Sequence, residues 1–171
     1  MTKSLRQWRD SLEGPVGLES DRLVNACISL LRGFYMCDLL LVSHGNTGEA
    51  LLEAAAMVYG PAGPGVHALS FESGQSQEDL IGSIRQQVGA SAERGGCLVL
   101  TDILGGSPFL AAAAVYGELR DRKMLQVLSG VNLAMVIEAL SCRETASLSE
   151  TKEKALAAAA QSICDLAQSL G

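Results

Sequence analysis

Aromatic side chains and long apolar runs are both scarce in this sequence. Only 3 Phe, 3 Tyr and 1 Trp occur among the 171 residues, although 48% of the residues are hydrophobic and 18 are glycine. A composition of this kind suits helices that pack closely against a sheet. No segment reaches about 18 uninterrupted apolar residues, and the N-terminus lacks the pattern of a signal peptide. We therefore expect one soluble, cytoplasmic protein with a sizeable core.

Positively charged residues are also few. The 13 Lys and Arg residues are outnumbered by 19 Asp and Glu residues, which gives a formal net charge of -6. Nucleic acids and anionic membranes are bound through clustered Lys and Arg side chains, so the sequence argues against both. A basic protein partner remains compatible with this charge.

Cysteine occurs in an odd number and without a C-x-x-C pair. The five residues are Cys27, Cys37, Cys97, Cys142 and Cys164. Their spacing and their apolar surroundings are typical of buried, reduced thiols in a cytosolic protein.

Several well-known site motifs are missing. The sequence contains no phosphate-binding G-x-x-x-x-G-K-[ST] loop, no G-x-G-x-x-G after a strand, no G-x-S-x-G and no H-E-x-x-H. With two histidines and no close Cys/His cluster, a zinc site is not predicted either. We therefore expect no metal, nucleotide or other cofactor.

Apolar runs of strand length alternate with helical patterns from residue 36 onward. Strands are predicted at 39–42, 66–71, 97–100 and 124–128, and helices at 47–60, 77–94, 108–120, 131–140 and 150–170. This alternation predicts a doubly wound α/β fold, with a mostly parallel sheet of four strands and helices on both faces. The last helix carries an apolar stripe made of Ala155, Leu156, Ala159, Ile163 and Leu166.

The chain divides into an N-terminal extension and a main domain. Residues 1–35 are polar at first and then show apolar residues at helical spacing over 23–31, which predicts a short amphipathic helix. Residues 36–171 form the α/β domain.

The polar residues best suited to catalysis lie at the carboxyl ends of the first and third strands. His44 closes the first, and Asp102 closes the third. Ligands bind at the carboxyl ends of such strands, so neighbouring strands would bring these two side chains together. A carboxylate that accepts a proton from one imidazole nitrogen leaves the other with an outward lone pair, which makes a nucleophile. Taken singly, each residue is compatible with a purely structural role, and we interpret His67, inside a predicted strand, as structural.

A glycine loop follows Asp102. Gly105 and Gly106 precede Ser107, which suits a helix N-cap, and Pro108, which suits the first helical position. Glycine N–H groups at a helix N-terminus favour an anion, so this loop is expected to hold the oxygens of a phosphoryl group on His44. A tight strand-to-helix turn without a ligand is the alternative.

Three motifs together resemble the mannose-family EIIA domains of the bacterial sugar phosphotransferase system. They read LLLVSHG at 39–45, LVLTDILGGSPF at 98–109 and SGVNLAM at 129–135, in the order of that family. The resemblance covers roughly residues 36–140. Leu104 departs from it, because an aromatic residue often precedes the family's glycine pair, and residues 1–35 lie outside it.

The resemblance implies a role for each site residue. His44 matches the phosphorylated histidine, which accepts a phosphoryl group from phospho-HPr and passes it to an EIIB component for sugar uptake through a membrane permease. Asp102 matches the carboxylate that orients this histidine, and Ser107 matches a serine near the phosphoryl group. Members of the family are similar in being homodimers, in which a fifth, antiparallel edge strand can come from exchange of the C-terminal part.

Three other functions stay open at the level of sequence, and one of them is a regulatory or dimerisation module that binds partners but accepts no phosphate. Ser107, His44 and Asp102 are the residue types of a hydrolase triad, although Pro108 removes one N–H that an oxyanion hole would commonly use. A related branch of the family that this sequence resembles supplies phosphoryl groups to dihydroxyacetone kinase instead of a permease. The GGSPF run at 105–109 looks more like the sugar-transport branch.

Overall fold

A parallel sheet covered by helices on both faces forms the core of the protein. The computed structural model describes residues 37–119 and 124–167. Along the chain the elements are β1 (Asp38–His44), α1 (Thr47–Val58), β2 (Val66–Phe71), α2 (Gln77–Ala90), a 3₁₀ turn (Ala92–Arg94), β3 (Cys97–Thr101), α3 (Ser107–Leu119), β4 (Leu125–Ser129), α4 (Leu133–Cys142) and α5 (Leu148–Gln161).

The strand order within the sheet is β2-β1-β3-β4, and every pairing is parallel. The direction of winding therefore reverses between β1 and β3, which lie side by side. Alternate residues of β1 point to opposite faces, so Leu39 and Leu41 pack against α1, α4 and α5, whereas Leu40 and Val42 pack against α2 and α3. The predicted doubly wound α/β fold is confirmed. Among the described residues the sheet has four strands, with no antiparallel fifth.

A buried polar network holds the start of β1. The carboxylate of Asp38 accepts hydrogen bonds from Ser91 Oγ at 2.7 Å and from the guanidinium group of Arg94, with Nε at 3.1 Å. Arg143, which is 1% exposed, donates to the carbonyl oxygens of Cys37 at 2.9 Å and of Pro64. Buried backbone oxygens need such donors, so these side chains fix the chain where it enters the sheet.

The last described helix is shorter than its sequence pattern predicts. Ser147 and Glu150 form a capping box that starts α5 at Leu148, and the helix ends at Gln161. Ala155 and Ala159 are buried, as expected. The rest of the predicted stripe is wrong: Leu156, Ile163 and Leu166 are exposed, the last two because they lie beyond the end of α5.

Two further expectations are only partly met. Cys37, Cys97 and Cys142 are buried, but Cys164 is exposed because it too follows the end of α5. The amphipathic helix predicted at 23–31, the extension 1–35 and Cys27 lie outside the described residues.

Candidate active site

The carboxyl ends of β1 and β3 bring His44 and Asp102 into contact. Val42 pairs with Thr101, after which β1 continues for two residues to His44 and β3 ends one residue before Asp102. His44 Nδ1 lies 2.8 Å from Asp102 Oδ2, and the backbone N–H of His44 donates to the same oxygen at 2.8 Å. The side chain of His44 is 47% exposed and that of Asp102 is 17% exposed. The sequence prediction that these two residues meet is thus confirmed.

The carboxyl group of Asp102 is held in its ionised form. Partial burial raises its pKa, but hydrogen bonds from the backbone N–H and the ring of His44, and from the N–H of Ile103 at 2.8 Å, outweigh burial and lower the pKa below the ordinary 3.8. An ionised carboxylate accepts only, so Nδ1 of the neutral imidazole carries the proton. Nε2 then keeps its lone pair, which makes it the ring atom able to act as a nucleophile.

The glycine loop approaches the imidazole closely. Gly105 has a φ of +80°, a conformation that side chains rarely adopt. A Cβ placed on Gly106 would lie 3.0 Å from His44 Cε1 and 2.7 Å from Ile103 Cγ2, so only glycine lets the loop pass the ring at this distance. The N–H of Gly106 donates to Ile103 O at 3.3 Å.

Helix α3 begins one residue earlier than predicted. Leu110 N donates to Gly106 O at 2.9 Å, so Gly106 takes the N-cap position and Ser107 is the first helical residue. The turn at Gly105 leads directly into the helix through Gly106, which accounts for the shift. The N–H of Ser107 is one of the helix's unpaired donors, at the positive end of its dipole.

Ser43 is a site residue that sequence reasoning missed. It is 1% exposed, and its Oγ accepts the N–H of Gly48 at 2.8 Å, which ties the end of β1 to the first turn of α1. A Cβ on Gly48 would lie 3.1 Å from Leu41 Cβ, so the helix rests directly on the strand. The signal in the sequence was a lone hydroxyl ending an otherwise apolar run, with a glycine five residues later.

Phe71 is the second residue that was missed. It ends β2 and lies opposite His44 in the pairing of β1 with β2. The two ring centroids are 5.9 Å apart and the ring planes are nearly perpendicular, at 78°. In the sequence Phe71 is indistinguishable from a core residue, since only the order of the strands places it beside the histidine.

Ser107 and the second histidine, His67, do not join the pair of His44 and Asp102. Within residues 37–119 and 124–167, Ser107 forms no side-chain hydrogen bond with His44 or Asp102, so no serine relay is assembled. His67 is exposed in the interior of β2, with its backbone opposite Leu40. The same part of the chain holds no group of three or more His, Cys, Asp or Glu residues placed to bind a metal ion.

A known protein family matches the part of the chain that contains the site. The family model EIIA-man, described as "PTS system fructose IIA component", matches residues 38–156, which include both strand ends of the site. The chain belongs to this EIIA family.

Individual EIIA relatives support the assignment. The mannose-specific EIIAB component of Escherichia coli K12 is 33% identical over 106 residues, which are 62% of this chain and 32% of that protein. The fructose-specific EIIA component of Bacillus subtilis is 32% identical over 67% of this chain and 76% of its own length. The crystal structure of an EIIA component from Streptococcus agalactiae superposes with a TM-score of 0.70 at 30% identity, over 78% of this chain and 99% of that one.

The family match therefore identifies the chain as a member of the EIIA proteins of the phosphotransferase system. It spans about a third of the length of the E. coli EIIAB relative. None of the helices within 37–119 and 124–167 is both long enough and apolar enough to cross a membrane.

Proposed function

We propose that the protein is a phosphocarrier that accepts a phosphoryl group from phospho-HPr on His44 and passes it to an EIIB component during sugar uptake. The observation that carries this proposal is the 2.8 Å contact between His44 Nδ1 and Asp102, because it leaves Nε2 as the free, partly exposed nucleophile. Asp102 and His44 are thus the catalytic pair.

In the transfer step, the lone pair of Nε2 attacks the phosphorus atom carried by the donor. The new N–P bond forms while the bond to the donor breaks, and the electron pair of the broken bond stays on the donor. The proton remains on Nδ1, and the carboxylate of Asp102 balances the positive charge that develops on the ring. On transfer to EIIB, the lone pair of a nucleophilic atom of EIIB forms a new bond to phosphorus while the bond at Nε2 breaks, and the electron pair of the broken bond returns to that nitrogen.

The glycine loop supplies donors for the phosphoryl oxygens. The N–H groups of Gly105 and Ser107 donate no hydrogen bond within the described residues, whereas that of Gly106 is engaged by Ile103 O. Gly105 and Ser107, at the start of α3, are therefore the stronger candidates for holding the oxygens, and Gly106 contributes chiefly by its close approach to the imidazole. Such donors stabilise negative charge that builds up during transfer.

An exposed apolar surface beside the histidine favours a protein as the phosphoryl donor. Ile103, Leu104 and Leu110 are 58%, 74% and 49% exposed, and they belong to the loop and helix that border the imidazole. Exposed apolar groups next to a reactive atom are typical of protein docking sites. HPr and EIIB would dock here in turn.

We also propose that the protein works as a homodimer. The outer edge of β4 pairs with no strand of the described chain. Beside this edge lies a mostly apolar cavity of about 230 Å³, lined by Phe109, Ala113, Tyr116, Gln126 and Val127. An open edge beside an apolar groove suits a strand from a second copy. Sedimentation of the purified protein at micromolar concentration should give the mass of two chains.

Phosphate transfer with purified components tests the main proposal. With phosphoenolpyruvate, enzyme I and HPr, the protein should take up one acid-labile phosphate per chain, and EIIB should then remove it. His44→Ala should abolish uptake, whereas His67→Ala, which changes the other histidine, should leave it intact. Phosphate uptake by the His44→Ala variant would refute the assignment.

Two further assays distinguish the alternative functions. Hydrolysis of simple esters that is lost in Ser107→Ala would favour a hydrolase, although the missing bond between Ser107 and His44 argues against it. Transfer to a dihydroxyacetone kinase in preference to EIIB would identify the other branch of the family.

A further inference from the structure

We propose that Phe71 is a positioning residue that fixes the plane of the His44 imidazole and so aims Nε2 at the incoming phosphorus. This inference rests on the proposed phosphoryl transfer at His44. It adds a third strand to the site, because Phe71 comes from β2, whereas His44 and Asp102 come from β1 and β3.

The contact between the rings has the geometry of a specific aromatic pair. The centroids lie 5.9 Å apart and the planes meet at 78°, within the range of edge-to-face arrangements. The backbones are fixed as well, since Gly45 N donates to Phe71 O at 3.1 Å just after His44. The position of the Phe71 ring along its strand, relative to the imidazole, is therefore fixed.

Packing in the core also restrains the side chain of Phe71. It packs against the core cluster on the α2–α3 face of the sheet, which includes Leu40, Val42 and Leu80. A side chain anchored in a core loses little further freedom when it supports a neighbour, so Phe71 can act as a rigid stop.

Asp102 alone does not define the imidazole plane. Its single hydrogen bond to Nδ1 tolerates a range of ring orientations, because the terminal side-chain torsion of histidine is broad. Gly106 bounds the ring at Cε1, and Phe71 supplies a further contact with the ring. These three contacts leave Nε2 as the reactive atom without a partner among the described residues.

Removing the aromatic ring while keeping apolar volume tests the inference. We expect Phe71→Leu to slow transfer from phospho-HPr about tenfold, with the KM for phospho-HPr within about twofold of wild type, because docking is unchanged and alignment is lost. Phe71→Tyr should restore the rate. Phe71→Met replaces the leucine variant if that one does not fold.

A matched control separates positioning from stability. Leu69 lies on the same strand and packs against the same cluster, next to Val42 and away from the imidazole. Leu69→Ala should lower Tm at least as much as Phe71→Leu while transferring phosphate at the wild-type rate. In ¹⁵N spectra, only the change at Phe71 should broaden or shift the ring nitrogens of His44.

The small donor phosphoramidate, which phosphorylates histidine without a protein partner, keeps the two proposals distinguishable. If wild type takes no phosphate from phospho-HPr, the proposed function fails, and the comparison of Phe71→Leu with wild type continues with phosphoramidate. Equal rates and equal ring spectra for those two proteins would overturn the role of Phe71. An equal loss of rate in Leu69→Ala would overturn it as well.

Discussion

Replacing Asp102 by asparagine keeps the size of the side chain and removes its charge. In the wild type its carboxylate accepts three hydrogen bonds, from the backbone N–H and Nδ1 of His44 and from Ile103 N, all at 2.8 Å. Asparagine would turn either its oxygen or its NH₂ group toward the ring. With the NH₂ group there, the proton moves to Nε2 and the nucleophilic lone pair is lost.

The expected magnitude follows from the one bond that changes strength during transfer. A hydrogen bond to a charged group contributes about 1.5–3 kcal/mol. Loss of that amount in the transition state slows transfer by a factor between about 10 and about 160. Rapid-quench measurement of transfer from phospho-HPr gives the rate directly, and Asp79→Asn, which changes an exposed carboxylate in the first turn of α2, is the matched control.

The effect on stability should be smaller and should depend on pH. The pKa of Asp102 is lower in the folded protein than its ordinary 3.8, so the carboxylate adds stability above that pH and loses it as pH falls through the folded pKa. Thermal unfolding of Asp102→Asn should therefore approach that of wild type as the pH is lowered below about 4. A transfer rate within twofold of wild type would contradict the orienting role of Asp102.

Two further substitutions test the close approaches described above. Gly106→Ala places a methyl group 3.0 Å from His44 Cε1, so it should displace the imidazole ring. Phosphate uptake from phospho-HPr and from phosphoramidate should both become slower. An unchanged rate would refute the steric argument. Arg143→Met keeps the apolar stem but leaves the carbonyl groups of Cys37 and Pro64 without their donor. In urea titrations it should lower the free energy of unfolding by about 2–4 kcal/mol. A loss below about 1 kcal/mol would show that water replaces the guanidinium group.

The alternation of strands and helices and the candidate pair of the site could be predicted because both depend on local signals, whereas the order of the strands in the sheet could not. The apolar runs that end in His44 and Asp102 mark buried parallel strands whose carboxyl ends meet at one edge. The contact with Phe71 could not be predicted in this way, because an aromatic residue at a strand end reads as core whichever strand lies beside it. Ser43 was missed for a similar reason: its partner Gly48 is set by how closely α1 rests on β1.

The boundaries that were wrong have physical causes of another kind. The pattern of good helix formers continues past Gln161, but the point at which a helix leaves the body of a protein depends on what it packs against. Ile163 and Leu166 therefore carry a helical signal without being buried. At the start of α3, Ser107 and Pro108 fit two adjacent cap positions equally well, and the turn at Gly105 decides between them.

The polar anchors at the two ends of β1 also resist sliding of this strand along its neighbours. Asp38 is tied to Ser91 and Arg94 at the start of the strand, and His44 is tied to Asp102 at its end, six residues and about 20 Å away. A shift of one residue would break both ties and turn every apolar side chain of the strand to the opposite face. The distance between the imidazole and its carboxylate is thus set in part by bonds at the far edge of the sheet.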